Sequence, residues 1–306
     1  MILTNKKVLY LLFLLILAGG LIYISQQFYF QSTNTIKIPQ PQKIIVHRSS
    51  FVCENQNSSQ GINNVIETIN DNNDFYLELD ISITKDGVLI LFHDLNFELD
   101  GALVSIRKSN YSEIQESHPS ILTLSELLQN YANQSFIFDI RDEVDIHANP
   151  TNENRGEFDY DQSNNILNSI SAIFEIENVD ITPHYFIAAN KRIAFLLMNQ
   201  GISNIIVGER YARPLFHGYV NNGSISSLRN GLLLISQEFN SDIIMVQKQF
   251  VDQSVMSLFN DLDLQMIVTN DFFFGLDQPH LFTASLFARL IPCDNPSMRE
   301  IINTLQ

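Results

Sequence analysis

Cationic side chains are scarce in this sequence. It contains 18 Lys and Arg residues against 34 Asp and Glu residues, which gives a formal net charge of -16. A field of that sign repels the phosphate backbone of nucleic acids, so the composition excludes a nucleic-acid partner. The same field repels a small anionic phosphodiester unless a bound cation neutralises the site locally. An acidic protein that acts on phosphodiesters therefore needs a metal ion.

Cysteine is almost absent as well. The two cysteines, Cys53 and Cys293, belong to no C-x-x-C pair. A structural zinc site, which takes ligands from such pairs, therefore has no support. A disulfide between Cys53 and Cys293 and two separate buried thiols both remain open from the sequence.

Only one long stretch lacks charge, and it lies near the N-terminus. Residues 8–24 (VLYLLFLLILAGGLIYI) are uncharged and follow Lys6 and Lys7. We expect an uncleaved membrane anchor at residues 1–26, because the residues after the run are too bulky for signal-peptide cleavage. A cleaved signal peptide is the alternative. The preceding lysines predict a cytoplasmic N-terminus, with the rest of the chain periplasmic, extracellular or lumenal.

After a polar linker at residues 27–42, short apolar runs alternate with helical patterns over residues 43–306. This alternation predicts an α/β fold with a parallel sheet, and eight strands predict a closed (β/α)8 barrel. An open doubly wound sheet is disfavoured, because residues 47–55 (HRSSFVCEN), after the first strand, contain no glycine. The acidic, Asn-rich segment 142–164 is expected to be a solvated loop, and a substrate lid is the alternative. The strand candidates are residues 43–47, 75–81, 88–92, 135–140, 184–188, 202–207, 242–246 and 265–269, and the clearest helices are 62–72, 123–131, 189–200 and 251–261.

Residues that could take part in catalysis or metal binding cluster at the ends of the first three predicted strands. They are His47-Arg48 with Glu54 shortly after them, Glu78 and Asp80 in an E-x-D, a T-K-D-G turn at residues 84–87, and His93-Asp94. Glu78 and Asp80 are two apart on a strand, so their side chains share a face, and their repulsion favours a bound cation. Two histidines can exchange protons with a nucleophile and a leaving oxygen, and an arginine can hold a phosphate. Together these residues predict a metal-dependent phosphodiester site.

The run YLELDISITKDGVLILFHD at residues 76–94 resembles the glycerophosphodiester phosphodiesterase family. The family pattern is H-R-G, E-N-T, E-x-D, T-x-D-G and H-D, and TLSELLQNYANQSFIFDIRD at residues 123–142 resembles it more weakly. The resemblance implies a TIM barrel that hydrolyses glycerophosphodiesters to an alcohol and glycerol phosphate through a cyclic phosphate. It implies one divalent cation, Ca²⁺ or Mg²⁺. The implied residues are His47 and His93 for acid–base chemistry, Arg48 and Arg141 for the phosphate, and Glu78, Asp80, Asp139 and Glu54 for the metal.

Four positions depart from the family pattern. Ser49 replaces a glycine, Gln56 a threonine, Asp139 a glutamate and Arg141 a lysine. We expect an active enzyme, because the charged side chains are retained. Two alternatives remain: a phospholipase or sphingomyelinase D-like enzyme acting on a lysophospholipid, and a decayed barrel that serves as a binding module.

Overall fold

The computed structural model describes residues 44–50, 55–69, 75–140, 160–269 and 286–291. All of them belong to one compact unit, Pro39–Gln306. Their strands, in chain order, are β1 Ile44–Val46, β2 Phe75–Ile83, β3 Leu89–Leu91, β4 Asn96–Leu99, β5 Ala102–Ser105, β6 Phe136–Ile140, β7 Tyr185–Ala188, β8 Ile205–Val207, β9 Ile243–Gln247, β10 Gln265–Thr269 and β11 Leu286–Ile291.

Within this described part, eight strands pair in parallel in the order β1-β11-β10-β9-β8-β7-β6-β2. β1 also pairs with β2 in parallel, with Ile44 opposite Phe75 and Val46 opposite Leu77, and this pairing closes the ring. The predicted parallel barrel is therefore confirmed.

The predicted strand at residues 88–92 is not a parallel barrel strand, and that expectation was wrong. Its observed part, β3, pairs antiparallel with the end of β2, with Leu89 opposite Ile83 and Leu91 opposite Ile81. The turn between them contains Gly87 at φ 82°. β2 is thus longer than predicted, and its carboxyl end forms an antiparallel hairpin with β3.

The eighth barrel strand, β11, is one that the sequence analysis missed. It pairs with β10 on one side and with β1 on the other. The predicted strand at residues 265–269 is therefore the seventh strand of the barrel.

Helices follow most of the strands, as the alternation predicted. Polar residues cap several helix N-termini. Thr123 and Glu126 form a reciprocal capping box. The Asn190 and Asp252 side chains accept backbone N–H groups at the N-termini of two other helices. The described helices are α1 Ser59–Ile69, α2 Tyr111–Ser117, α3 Leu124–Asn130, α4 Tyr160–Ile176, α5 Lys191–Asn199, α6 Glu209–Asn222, α7 Ile225–Phe239 and α8 Gln253–Asp261. α4 begins inside the segment expected to be a loop, so residues 160–164 are helical.

The barrel interior is filled by a layer of apolar side chains, one or two from each of seven strands. They are Ile45, Tyr76, Ile137, Ile187, Ile206, Ile243, Met245 and Ile267. Side chains alternate between the two faces of a strand, so residues two positions further on also face the interior, nearer the carboxyl ends. The carboxyl-terminal mouth of a (β/α)8 barrel is where catalytic residues lie.

Several predictions fall outside the described residues. They concern the anchor at residues 1–26, the linker at 27–42, Cys53 and Cys293, and most of the 142–164 segment. Among the helices that are described, none combines the length and the apolar character needed to cross a membrane.

Candidate active site

Three carboxylates converge at the mouth of the barrel. Glu78 and Asp80 lie on β2, Asp139 lies on the neighbouring β6, and Asp80 is directly opposite Asp139. One oxygen from each of the three lies within 4.8 Å of the others, and Glu78 and Asp80 are almost completely buried. Asp139 therefore reaches the cluster although its side chain is one methylene shorter than the glutamate of the family pattern. Oxygen ligands of this kind suit a hard divalent cation such as Ca²⁺ or Mg²⁺.

The electrostatics of Glu78 fit the same conclusion. Burial raises its pKa well above the ordinary value, and the neighbouring Asp80 and Asp139 raise it further. The N–H of Arg48 and its charge act in the opposite direction, with the backbone N donating to Glu78 Oε2 at 2.7 Å. A buried cluster that disfavours its own negative charge is stabilised by a cation between the carboxylates.

Asp80 is held by Asn57, a residue that the sequence analysis did not select. Asn57 Nδ2 donates to Asp80 Oδ2 at 3.0 Å, and the backbone N–H of Asp80 donates to Asn57 Oδ1 at 3.2 Å. The backbone N of Asn57 also donates to the carbonyl of Arg48 at 2.9 Å. Asn57 therefore fixes one carboxylate relative to the turn that follows β1.

That turn, His47–Ser49, places the first histidine beside the carboxylates. His47 Nε2 lies 3.9 Å from Glu78 Oε2. Arg48 and Ser49 have φ values of 53° and 46°, in the left-handed region that glycine favours. Ser49 thus adopts a conformation suited to the family's glycine, and its Oγ donates to the Glu78 carbonyl at 2.9 Å. The turn therefore accommodates serine in place of glycine, and the Ser49 hydroxyl is buried and hydrogen-bonded.

The guanidinium of Arg48 lies at the same site. Its Nε is 3.5 Å from Asp80 Oδ2, and its Nη1 donates to Gln56 Oε1 at 2.7 Å. Gln56, a second departure from the family pattern, therefore orients the arginine that was predicted to bind phosphate.

His93 reaches the site by a different route from the one predicted. It does not end a parallel strand; it follows β3, which returns along β2 until the N–H of Phe92 donates to the Asp80 carbonyl at 3.1 Å. His93, the next residue, therefore lies beside the part of β2 that carries Asp80. Asp94 Oδ1 lies 2.7 Å from His93 Nδ1. An ionised carboxylate can only accept, so Nδ1 carries the proton and Nε2 is the atom able to exchange one.

The remaining predicted residues divide into two groups. The T-K-D-G turn is structural: Thr84 Oγ1 donates to Asp86 Oδ1 at 2.6 Å, and the N–H of Gly87 donates to the Thr84 carbonyl. Glu54 and Arg141 lie outside the described residues, so their roles remain predictions.

Comparison with solved structures supports the predicted resemblance. A glycerophosphodiester phosphodiesterase from Parabacteroides distasonis matches with a TM-score of 0.57 and 14% identity, over 87% of this chain and 99% of its own. One from Thermotoga maritima matches with a TM-score of 0.55 and 16% identity, over 86% and 97%. An Oleispira antarctica phosphodiesterase, solved with the product sn-glycerol-3-phosphate, matches with a TM-score of 0.57 and 12% identity, over 86% and 97%.

These matches confirm the resemblance at the level of the fold: the chain has the barrel that these phosphodiesterases share. No family model matches the sequence. No curated protein matches it either.

Proposed function

We propose that this chain is a metal-dependent phosphodiesterase that hydrolyses glycerophosphodiesters to an alcohol and glycerol phosphate. The observation that carries the proposal is the convergence of Glu78, Asp80 and Asp139 at the barrel mouth. His47 and Arg48 lie directly beside these carboxylates. The shared fold supports it, as does the product bound to the Oleispira antarctica enzyme.

The three carboxylates would hold one Ca²⁺ or Mg²⁺ ion. Such a cation would supply positive charge against the phosphate as negative charge builds up on it. Arg48 would hold a phosphate oxygen from the other side, with Gln56 and Asp80 orienting its guanidinium. The net charge of -16 makes this local positive charge necessary for an anionic substrate.

His47 and His93 would move the protons. In the first step the glycerol hydroxyl next to the phosphate attacks phosphorus, and one histidine takes its proton. The bond from phosphorus to the leaving alcohol breaks, and the other histidine protonates that oxygen. Water then opens the cyclic phosphate with the two roles exchanged. The Asp94 carboxylate orients His93 for this exchange.

Turnover of glycerophosphocholine and of a lysophospholipid, each with Ca²⁺, with Mg²⁺ and with chelator, tests the proposal. We expect cation-dependent release of choline from glycerophosphocholine. Glu78→Gln should abolish it, whereas Glu98→Gln, at an exposed position on β4, should not. Turnover of the lysophospholipid alone would favour the phospholipase D-like alternative. Metal binding without turnover of either substrate would favour a binding module, and turnover in excess chelator would contradict the metal scheme.

We also propose that residues 1–26 anchor the chain in a membrane, with the barrel on the non-cytoplasmic side. The uncharged run at residues 8–24 and the lysines before it support this. Protease accessibility of the barrel in intact and opened vesicles measures the orientation. Release of the chain by high salt or carbonate would contradict an anchor.

A further inference from the structure

The half of the barrel mouth away from the carboxylates carries its own polar cluster. It consists of Glu209, Gln247 and Thr269, from the carboxyl ends of β8, β9 and β10. Gln247 follows Met245 by two positions on β9, and Thr269 follows Ile267 by two on β10. Because Met245 and Ile267 belong to the interior layer, Gln247 and Thr269 face the interior as well. They are directly opposite one another in the strand register.

Glu209 extends over the mouth from the first residue of α6. Gln247 Nε2 donates to Glu209 Oε1 at 2.6 Å, and Thr269 Oγ1 donates to Glu209 Oε2. β8 and β10 are separated by β9, so this carboxylate reaches past one whole strand towards β10. β10 is itself only β11 away from β1, after which His47 follows. The Glu209 carboxylate therefore lies over the interior of the mouth, on the half opposite β2.

The backbone at Gly208, just before Glu209, packs closely against the end of β7. This packing fixes the position of the Glu209 Cα. A Cβ atom at Gly208 would lie 3.0 Å from the Ala188 carbonyl oxygen and 3.2 Å from the Ala189 Cα. The Gly208 N–H donates to the same Ala188 carbonyl at 3.0 Å. The backbones at the carboxyl ends of β7 and β8 thus approach closely at Ala188, Ala189 and Gly208, next to Glu209.

Glu209 retains capacity for a ligand. Its third partner among the described residues is Arg213, whose Nη2 donates to Oε1 from the next turn of α6. Arg213 has 44% of its side chain exposed, so this i,i+4 ion pair is of the weak, solvent-screened kind. A carboxylate offers about four acceptor positions. The described residues supply two donors to Oε1 and one to Oε2, so within this part of the protein Oε2 can accept another. The Glu209 side chain is itself 20% exposed.

We infer that Glu209, held by Gln247 and Thr269, binds a leaving alcohol that carries an ammonium group with N–H donors. This inference rests on the proposed function, because it assigns the alcohol end of the same diester. With the phosphate at the metal half of the mouth, the alcohol lies over the small residues of β7 and β8. The Glu209 carboxylate accepts its ammonium protons there.

The test is calorimetric binding of two diesters to His47→Ala protein, which blocks turnover, in the presence of Ca²⁺ or Mg²⁺. Glycerophosphoethanolamine supplies the ammonium group, and glycerophosphoglycerol supplies a neutral alcohol. Adding Glu209→Gln should weaken binding of the ethanolamine diester at least about tenfold and change the glycerol diester much less. The matched control is Glu238→Gln, a carboxylate on α7 that pairs with Lys191 outside the mouth.

Equal weakening of both diesters would show that Glu209 only braces the strand ends, and would overturn the inference. Unchanged binding of both would overturn it as well. A melting temperature and a metal affinity like those of the parent show that Glu209→Gln is folded. If the unmutated protein binds the ethanolamine diester selectively but turns over no diester, the proposed hydrolysis fails and the subsite stands.

Discussion

Asn57 and Asp80 are joined by two hydrogen bonds that run in opposite directions, one from each residue. The side-chain amide of Asn57 donates to the carboxylate of Asp80, and its carbonyl oxygen accepts the Asp80 N–H. A single side chain therefore sets both the backbone and the carboxylate of one predicted metal ligand. Partners of this kind commonly hold a ligand in the orientation that a metal requires.

Replacing Asn57 should weaken metal binding without unfolding the protein. Asn57 has φ 53°, so Asn57→Gly keeps the backbone conformation while removing both side-chain bonds. We expect Ca²⁺ or Mg²⁺ affinity to fall about 10–100-fold, as is usual for such partners of a ligand. Calorimetric titration measures it. Asn178→Gly is the matched control, since Asn178 is exposed and has φ 55°. Equal affinities in the two variants would contradict a positioning role for Asn57.

Glu78→Gln should stabilise the metal-free protein while removing its response to metal. The folded-state pKa of Glu78 is raised, so its stability contribution is present below the unfolded pKa near 4.5 and is lost as pH rises through the folded pKa. That contribution is therefore reduced at neutral pH, whereas glutamine carries no charge at any pH and can still accept the Arg48 N–H.

Melting in chelator at pH 7 and again below pH 4.5 checks this expectation. The variant should melt higher than the parent at pH 7, on a scale of about 2–4 °C per kcal/mol for a domain of this size. The difference should shrink below pH 4.5, and added Ca²⁺ or Mg²⁺ should shift only the parent. A lower melting temperature at pH 7 would show that the three carboxylates do not repel one another.

His47→Ala and His93→Ala should each lower turnover about 10²–10⁴-fold, the usual contribution of a general acid or base. Both side chains lie at the level of Glu78 and Asp80 rather than in the apolar interior, so the folded structure should persist. Steady-state kinetics and circular dichroism measure the two effects. His217→Ala is the control, because His217 is exposed on α6. Near-parental turnover in either site variant would rule out the two-histidine scheme.

Glu78, Asp80 and His93 could be selected from the sequence because their spacing is local, whereas Asp139 was selected through the resemblance of residues 123–142. Glu78 and Asp80 are two apart on one strand, and the hairpin between β2 and β3 is short enough for the T-K-D-G turn to mark it. The direction of β3 was not predictable in the same way. A buried antiparallel strand and a buried parallel one both appear as a short apolar run, so residues 88–92 were placed in the barrel.

Other parts of the site depend on tertiary structure. Asn57 contacts a residue 23 positions away, and nothing in the polar stretch around it distinguishes it from its neighbours. Glu209 meets Thr269 only because β8 and β10 end at the same rim. β11 was missed because its sequence, LFARLI, has alanine and arginine at its centre and resembles a strand weakly. Side chains that meet across a barrel leave no periodic pattern in the chain.

His184 should make the fold sensitive to acid independently of the active site. It is buried and stacked on Phe136, with ring centroids 5.8 Å apart, and its Nδ1 accepts the Phe136 N–H at 3.2 Å. Burial lowers its pKa from 6.5 to about 4, and this effect outweighs the opposing charge of Asp180. Between these two values the unfolded chain binds a proton that the folded chain does not. The free energy of unfolding therefore falls as pH drops from about 6.5 to about 4, by up to about 3 kcal/mol from this group.

Denaturant unfolding at several pH values in that window measures the effect. His184→Asn keeps an acceptor near the position of Nδ1 but does not titrate. The variant should be less stable at pH 7 and lose less stability on acidification, so that the two curves converge towards pH 4. Contributions from the active-site carboxylates are common to both proteins and cancel in the difference. His217→Asn, at the exposed position on α6, should follow the parent curve. If His184→Asn and the parent run parallel across the window, the buried imidazole does not control the acid response.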